Sequence, residues 1–321
     1  MRKKLLFFVL SAALAVLTAG CAQNTDTGED VSASRETKTE KIQIVATLFP
    51  QYDFAREIAG DKAEVELLLP PGIESHSYEP TPSDIMRINR SDLFVYTGEA
   101  MEAWSHKIIE SMEDAGSKSL ILDVSEGIEL AREEDIDHGH ELEYEHLYDP
   151  HIWTDPLNAK IMVGNICEAL SRIDPDNADY YRKNADDYKA KLDELDEEFQ
   201  AAVAAGKRDE IIFGSRFALY YFAKRYGLSY EAAFDSCSSE TEPSARTVAG
   251  LIHEIKEEKI PVIYYAEIEE PKVAKSISAE TGAKMLLFHS CHNLTREELE
   301  SGATYLSLMR QNLRNLKEGL E

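Results

Sequence analysis

Strand-like segments alternate with helical patterns along most of this chain, and one long helical segment divides the strands four and four. Regular alternation of strands and helices is typical of parallel sheets joined by crossover helices. The sequence therefore predicts an α/β protein with two (β/α)4-type lobes. The predicted strands cover residues 41–49, 64–70, 92–98, 119–124, 210–214, 228–234, 262–267 and 283–288.

The long helical segment follows Asp174-Pro175, which is typical of an N-cap followed by proline at the first helical position. Five aromatic or leucine side chains then keep to one helical face: Tyr181, Tyr188, Leu192, Leu195 and Phe199. This spacing predicts a helix of about 25–30 residues with Gly206 as its C-cap. We expect it to link the two lobes, with boundaries at 41–172, 173–206 and 207–321.

The first 40 residues predict a targeting segment followed by a tether. A basic start, an apolar stretch over 5–17 and small residues before Cys21 indicate a lipoprotein signal peptide over 1–20. Ordinary secretion with an incidental cysteine is the alternative. Residues 21–40 contain too few large apolar side chains to form a core, which predicts a disordered tether. We therefore expect an extracytoplasmic protein held on the bacterial membrane by palmitate-type acyl chains on Cys21.

The net charge of −26 limits the possible partners. Such an acidic surface argues against binding nucleic acid, or an anionic membrane surface, through a basic patch. It suits a protein that stays soluble outside the cell and attracts cations. About 280 residues follow the tether, which is enough for two domains, and we expect a monomer.

Three histidines occupy short segments that follow a predicted strand or precede a predicted helix: His76, His151 and His289. Ligands of open α/β sheets bind beyond the carboxyl ends of the strands, where His76 and His289 are expected. Neutral imidazole is the commonest protein ligand for transition metals. Three imidazoles that converge in one cleft would form a Zn²⁺-type site.

Several motifs extend this pattern over the rest of the chain. They are LPPG (69–72), HSYEP (76–80), GEAMEAW (98–104), HIWTDP (151–156), YFAKRYG (221–227) and EPS (242–244). Together they resemble the metal-binding receptors of ABC importers for zinc and manganese, the ZnuA-like and PsaA-like lipoproteins, over residues 42–321. The resemblance implies a bilobal fold with one rigid linking helix, a metal ion between the lobes, an ABC permease as partner and no enzymatic activity.

The resemblance also implies ligand positions. His76 and His151 match the two ligands of the first lobe, whereas the two positions of the second lobe fall on Arg216 and His289. Arginine cannot be a ligand because its guanidinium group stays protonated. Three alternatives follow. Water or a nearby group fills the position, or Arg216 pairs with an acid such as Glu267 and acts behind the ligands. In the third, the site takes an anion or a metal chelate that Arg216 contacts. The nearby candidates are Glu240, Glu242, Cys291 and His292.

Three imidazoles favour Zn²⁺ as the transported ion over Mn²⁺, which prefers carboxylate and water ligands. An acidic segment carries three further histidines: His138, His140 and His146. It resembles a short form of the histidine-rich loop of zinc receptors and could gather metal near the cleft. A solvated acidic loop without metal is the alternative.

Cys237 and Cys291 lie in predicted loops of the same half of the chain. An oxidising compartment favours a disulfide between them, and the alternative is a Cys291 thiolate that binds metal. Cys167 falls on the apolar face of a predicted helix, which indicates a buried thiol.

We therefore expect a receptor that captures Zn²⁺ and delivers it to an ABC permease. A receptor of altered specificity for Mn²⁺, another metal, or a chelate or anion bound by Arg216 is one alternative, and a surface adhesin is another. A zinc hydrolase also uses three histidines and an open position. No general-base motif supports the zinc hydrolase hypothesis.

Overall fold

Two four-stranded parallel sheets form the framework of the computed structural model, which describes residues 41–132, 148–234, 243–268 and 270–321. The strand order is β2-β1-β3-β4 in the first sheet and β6-β5-β7-β8 in the second. The predicted α/β fold, with four strands on each side of a long helix, is confirmed. The strands are β1 (Ile42–Ala46), β2 (Ala63–Leu67), β3 (Leu93–Tyr96), β4 (Leu120–Asp123), β5 (Glu210–Phe213), β6 (Ser229–Ala232), β7 (Val262–Tyr265) and β8 (Lys284–Leu287).

Helices connect successive strands within each sheet and also link the first sheet to the second. Over the described ranges they are α1 (Phe49–Ala59), α2 (Pro82–Arg90), α3 (Ser105–Asp114), α4 (Pro156–Ile173), α5 (Ala178–Ala205), α6 (Tyr220–Tyr226), α7 (Ala245–Glu257), α8 (Lys272–Thr281), α9 (Arg296–Glu300) and α10 (Tyr305–Leu320). None of these helices has the length and apolar character that crossing a bilayer requires.

The predicted long helix is α5, which has 28 residues and Gly206 as its C-cap. All five side chains of its predicted apolar face are buried. The helix contacts elements of both lobes. Tyr188 packs edge-on against Phe54 of α1, and Phe199 packs edge-on against Phe222 of α6. One helix therefore supports the first lobe near its N-terminus and the second lobe near its C-terminus.

A single apolar cluster runs through both lobes. It includes Ile44 of β1, Trp153, Phe199 of α5 and Phe288, and each of these side chains is fully buried. The two lobes thus share one continuous core, and each lobe adds a smaller apolar cluster of its own. Interiors packed in this way resist deformation, so the cleft between the lobes has a defined geometry.

Cys291 does not form the expected disulfide. Its thiol is free and fully buried, and its Sγ lies 3.9 Å from the carbonyl oxygen of His289. The backbone of Cys291 has a φ of 62°, a left-handed conformation that is uncommon for a residue other than glycine. Cys167 is buried and free, as predicted.

Several predicted features lie outside the described residues. They are the signal peptide 1–20, Cys21, the tether 21–40, the acidic segment with His138, His140 and His146, and the loop residues Cys237, Glu240 and Glu242.

Candidate metal centre

Three imidazoles meet in the cleft between the lobes: those of His76, His151 and His292. One ring nitrogen from each lies within 4.8 Å of the others. The Nε2 atoms of His76 and His151 are 3.3 Å apart, and the ring centroids of His151 and His292 are 4.4 Å apart. His76 follows β2, His151 precedes α4, and His292 follows β8. The fold therefore brings together three loops that are distant in sequence.

The ring of His151 is oriented by a carboxylate. Its Nδ1 lies 2.9 Å from Oδ1 of Asp149, which also accepts a hydrogen bond of 2.8 Å from the His151 backbone N–H. Tyr221 donates to the carbonyl oxygen of Asp149 at 2.8 Å and so fixes the backbone of this loop. With Nδ1–H donated to the carboxylate, Nε2 carries the lone pair and faces the other imidazoles. A carboxylate behind the ring is typical of metal-binding histidines.

The ring of His292 is oriented by the hydroxyl of Ser290, which is itself held by the carboxylate of Glu267. Its Nδ1 lies 2.6 Å from Oγ of Ser290, and that hydroxyl donates to Glu267. Glu267 also accepts a hydrogen bond of 2.8 Å from the backbone N–H of Ser290. Nε2 of His292 is buried and has no hydrogen-bond partner among the described residues. Burial and the neighbouring imidazoles, His151 first, lower the pKa of His292 well below its usual value, which keeps the ring neutral.

The loop that carries His76 is fixed by the residues that follow it in the HSYEP motif. Tyr78 donates to Asp84 at 2.8 Å, and Asp84 accepts a hydrogen bond of 2.7 Å from the backbone N–H of Thr81, the N-cap of α2. On the other side of the histidine, Glu74 accepts a hydrogen bond of 3.1 Å from the His76 backbone N–H. The motif therefore folds a short loop that is anchored to the start of α2.

The structure does not bring His289 into this cluster. Its ring points into the second lobe, where Nδ1 accepts a hydrogen bond of 2.9 Å from the Cys291 backbone N–H and Nε2 lies 3.6 Å from Glu298. Asn312 of α10 holds the backbone of His289 on both sides, at 2.7 Å and 2.8 Å. The left-handed turn at Cys291 then redirects the chain, so that His292 reaches the cleft from this loop.

Direct hydrogen bonds join the ligand loops across the lobes. The side-chain amide of Asn293 donates to the carbonyl oxygens of Pro70 and Ile73, at 2.7 Å and 3.0 Å. The backbone N–H of Gly72 donates to Leu294 at 2.7 Å. Trp153, of the HIWTDP motif, donates through its indole N–H to the carbonyl oxygen of Ser290 at 2.8 Å. These contacts set the position of His292 relative to the other two rings.

Arg216 lies beside the cluster, at the edge of the cleft. One of its guanidinium nitrogens is 3.7 Å from Oε2 of Glu74, so the two residues form an ion pair between the lobes. Glu267, the predicted partner of Arg216, accepts hydrogen bonds from Ser290 instead. Cys291, another candidate ligand, is fully buried and does not belong to the histidine cluster.

Replacing Asp149 with asparagine is expected to weaken zinc binding by roughly 10–100-fold, the usual effect of losing an outer partner of a ligand histidine. The amide can donate to Nδ1 and so favours the tautomer in which Nε2 is protonated. Zinc titration against an indicator measures the change. Asp155→Asn, which alters a carboxylate at the start of α4, is the control. An unchanged affinity in Asp149→Asn would contradict the role of Asp149.

Comparison with known proteins gives matches over most of the chain. Residues 44–319 match the family described as "Zinc-uptake complex component A periplasmic", ZnuA. The chain is 37% identical over 323 residues to the "High-affinity zinc uptake system protein ZnuA" of Bacillus subtilis (strain 168), and the match covers 98% of this chain and 96% of that protein.

Two further comparisons concern AdcA of Streptococcus pneumoniae. The chain is 35% identical over 283 residues to the "Zinc-binding lipoprotein AdcA", a match that covers 87% of this chain and 56% of that longer protein. The crystal structure of the Zn(II)-bound ZnuA-like domain of AdcA superposes with a TM-score of 0.74 at 32% identity and covers 87% of this chain and 99% of that domain.

Proposed function

Because this chain belongs to the ZnuA family of periplasmic zinc-uptake components, we propose that it captures Zn²⁺ between its lobes and delivers the ion to an ABC permease. In this proposal His76, His151 and His292 are the ligands. Family membership makes the chain a binding component of a transport system and not an enzyme, which argues against the zinc hydrolase hypothesis.

The proposal rests mainly on the distance between two ring nitrogens. Two nitrogens that each lie about 2.0–2.1 Å from a tetrahedral zinc ion are about 3.3–3.4 Å apart. The Nε2 atoms of His76 and His151 are 3.3 Å apart. Two lone-pair nitrogens at this distance repel each other unless a cation or a proton lies between them. The pair is therefore arranged as one edge of a zinc tetrahedron.

The chemistry of the ligand set supports zinc as the transported ion. All three donors are imidazole nitrogens, which suit Zn²⁺, whereas Mn²⁺ prefers carboxylate and water oxygens. The carboxylates of Asp149 and Glu267 lie behind the rings, where they orient the histidines and compensate the charge of the ion. The order of affinities for divalent metals also places zinc above manganese.

A competitive metal titration of chelator-stripped protein tests the proposed function. We expect one equivalent of Zn²⁺ to bind at least ~100-fold more tightly than Mn²⁺, because nitrogen ligands favour zinc. Zinc at 100 times its dissociation constant should also raise the free energy of unfolding by about 2.7 kcal/mol. Manganese at the same concentration is the control. Equal affinity for the two metals, or no tight site for zinc, would refute the proposal.

We also propose that Cys21 carries the acyl chains that hold the protein at the membrane, with residues 22–40 as the tether. The basic start, the short apolar stretch and the small residues before Cys21 support this location. Membrane fractionation of wild-type protein and the Cys21→Ser variant tests the anchor, because the variant should be released.

A further inference from the structure

The two sheets have the same strand order, so each has one point where its connections turn in opposite directions. That point lies between β1 and β3 in the first sheet and between β5 and β7 in the second. Crevices beyond the carboxyl ends of the strands at such points are the usual ligand sites of open α/β sheets. The two equivalent positions can therefore be compared within one molecule.

In the first lobe this position is filled by protein. Thr47 follows β1 and Thr97 follows β3, and both side chains are buried together with Gln51 and Glu102. Thr47 lies 2.5 Å from Glu102 and 2.9 Å from Gln51, and Gln51 in turn donates to Thr97. This polar network occupies the crevice of the first lobe.

In the second lobe the same position is an open cavity of about 330 Å³. Gly214 and Arg216, which follow β5, form one side of it, and Ala266 and Glu267, which follow β7, form another. His292 also lines the cavity, so one histidine of the cluster forms part of its wall. At this volume the cavity is far larger than one water molecule needs, and it reaches the size range of small-molecule sites.

The net charge around this cavity depends on whether the metal ion is bound. Arg216 and Lys272 contribute two positive charges, and Glu74, Glu267 and Glu270 contribute three negative charges, for a net charge of −1 among the described lining residues. Zn²⁺ on the histidines would change this to +1. The N-terminus of α8 lies at the same wall and has no side-chain cap. Its positive end adds to the potential that favours an anion.

We propose that this cavity binds a small organic carboxylate together with the metal, and that the carboxylate completes the coordination of zinc beside the three histidines. The inference rests on the proposed function. It explains the arginine in this position, because a guanidinium group binds carboxylates in a planar, two-pronged arrangement and cannot bind a cation. The ligand class is therefore a zinc–carboxylate complex, and neither component alone balances the charge of the site.

Zinc titration in the presence of lactate tests this inference, with lactamide as the neutral probe of the same size. We expect about 10 mM lactate to raise the apparent zinc affinity of the wild-type protein about tenfold, and lactamide to leave it unchanged. Arg216→Gln should lose this gain, and Arg310→Gln, a partly exposed arginine of α10 that does not line the cavity, should keep it. Lys272→Gln is the second variant and should reduce the gain if Arg216→Gln does not fold.

The absorption spectrum of the Co²⁺-loaded protein gives an independent readout, because its d–d bands report the ligands of the ion. Lactate should change these bands in the wild-type protein and leave them unchanged in Arg216→Gln. Tight zinc binding that lactate does not change, or an equal gain in wild-type and Arg216→Gln protein, would overturn the carboxylate site and leave zinc capture intact. Absence of zinc binding under every condition would instead refute the proposed function.

Discussion

Replacing His292 with alanine is expected to weaken zinc binding by roughly 100-fold or more. Loss of an outer partner alone reduces metal affinity about 10–100-fold, and loss of a ligand removes a bond as well. His292 is the one ring in the cluster that comes from the second lobe. The variant therefore leaves only His76 and His151, two ligands of the first lobe. Competitive titration against an indicator of known affinity measures the change.

His289→Gln is the matched control, three residues earlier in the same loop. Its side chain is fully buried and faces the second lobe, so we expect this variant to lower the free energy of unfolding while the folded protein keeps its zinc affinity. Thermal unfolding and zinc titration separate the two effects. Strong loss of zinc in His289→Gln with normal binding in His292→Ala would reverse the assignment of the third ligand.

Glu102 is expected to make stability depend on pH. Burial raises the pKa of this carboxyl from its usual value of 4.5 to about 8. The hydrogen-bond geometry agrees, because the Thr47 hydroxyl lies near two acceptors, Gln51 and Glu102, and has one proton to donate. A protonated Glu102 donates to Thr47, which then donates to Gln51. The pKa of the folded state is raised, so the folded protein holds a proton that the unfolded chain has lost.

The contribution of Glu102 is therefore fully present below pH 4.5 and is lost as the pH rises to about 8. A single proton gives a slope of about 1.4 kcal/mol per pH unit in the free energy of unfolding. Urea unfolding of metal-free protein at several pH values measures it. Glu102→Gln, whose amide can donate to Thr47, should lack this slope. Glu99→Gln, an exposed neighbour, should keep it. If the free energy of unfolding depended on pH in the same way in wild type and Glu102→Gln, Glu102 would have its usual pKa.

Much of the fold follows from local patterns in the sequence. The alternation of strands and helices predicts both sheets, and the face of Tyr181 to Phe199 predicts α5 because a 3.6-residue period over that length has few alternatives. Strand ends were predicted too long. The segment 41–49, for example, contains β1 at Ile42–Ala46 and the start of α1, because apolar residues continue across the junction. Apolar character alone does not mark where a strand ends.

The choice between His289 and His292 illustrates what strand position cannot predict. His289 and His292 lie after the same strand, and the left-handed turn at Cys291 decides which ring reaches the cleft. One local signal does distinguish them. Each histidine of the cluster has an acceptor two residues before it: Glu74 for His76, Asp149 for His151 and Ser290 for His292. The residue two positions before His289 is Leu287, which has no side-chain acceptor.

The amide of Asn293 has a consequence for how fast a bound ion can exchange. A hinge motion of the lobes would break its bonds to Pro70 and Ile73 and the bond between Gly72 and Leu294 at the same time. Asn293 and Leu294 are fully buried, and a buried polar group left without a partner costs about 1–3 kcal/mol. We therefore expect the ion to leave through local fluctuations of these two short loops more readily than through opening of the lobes.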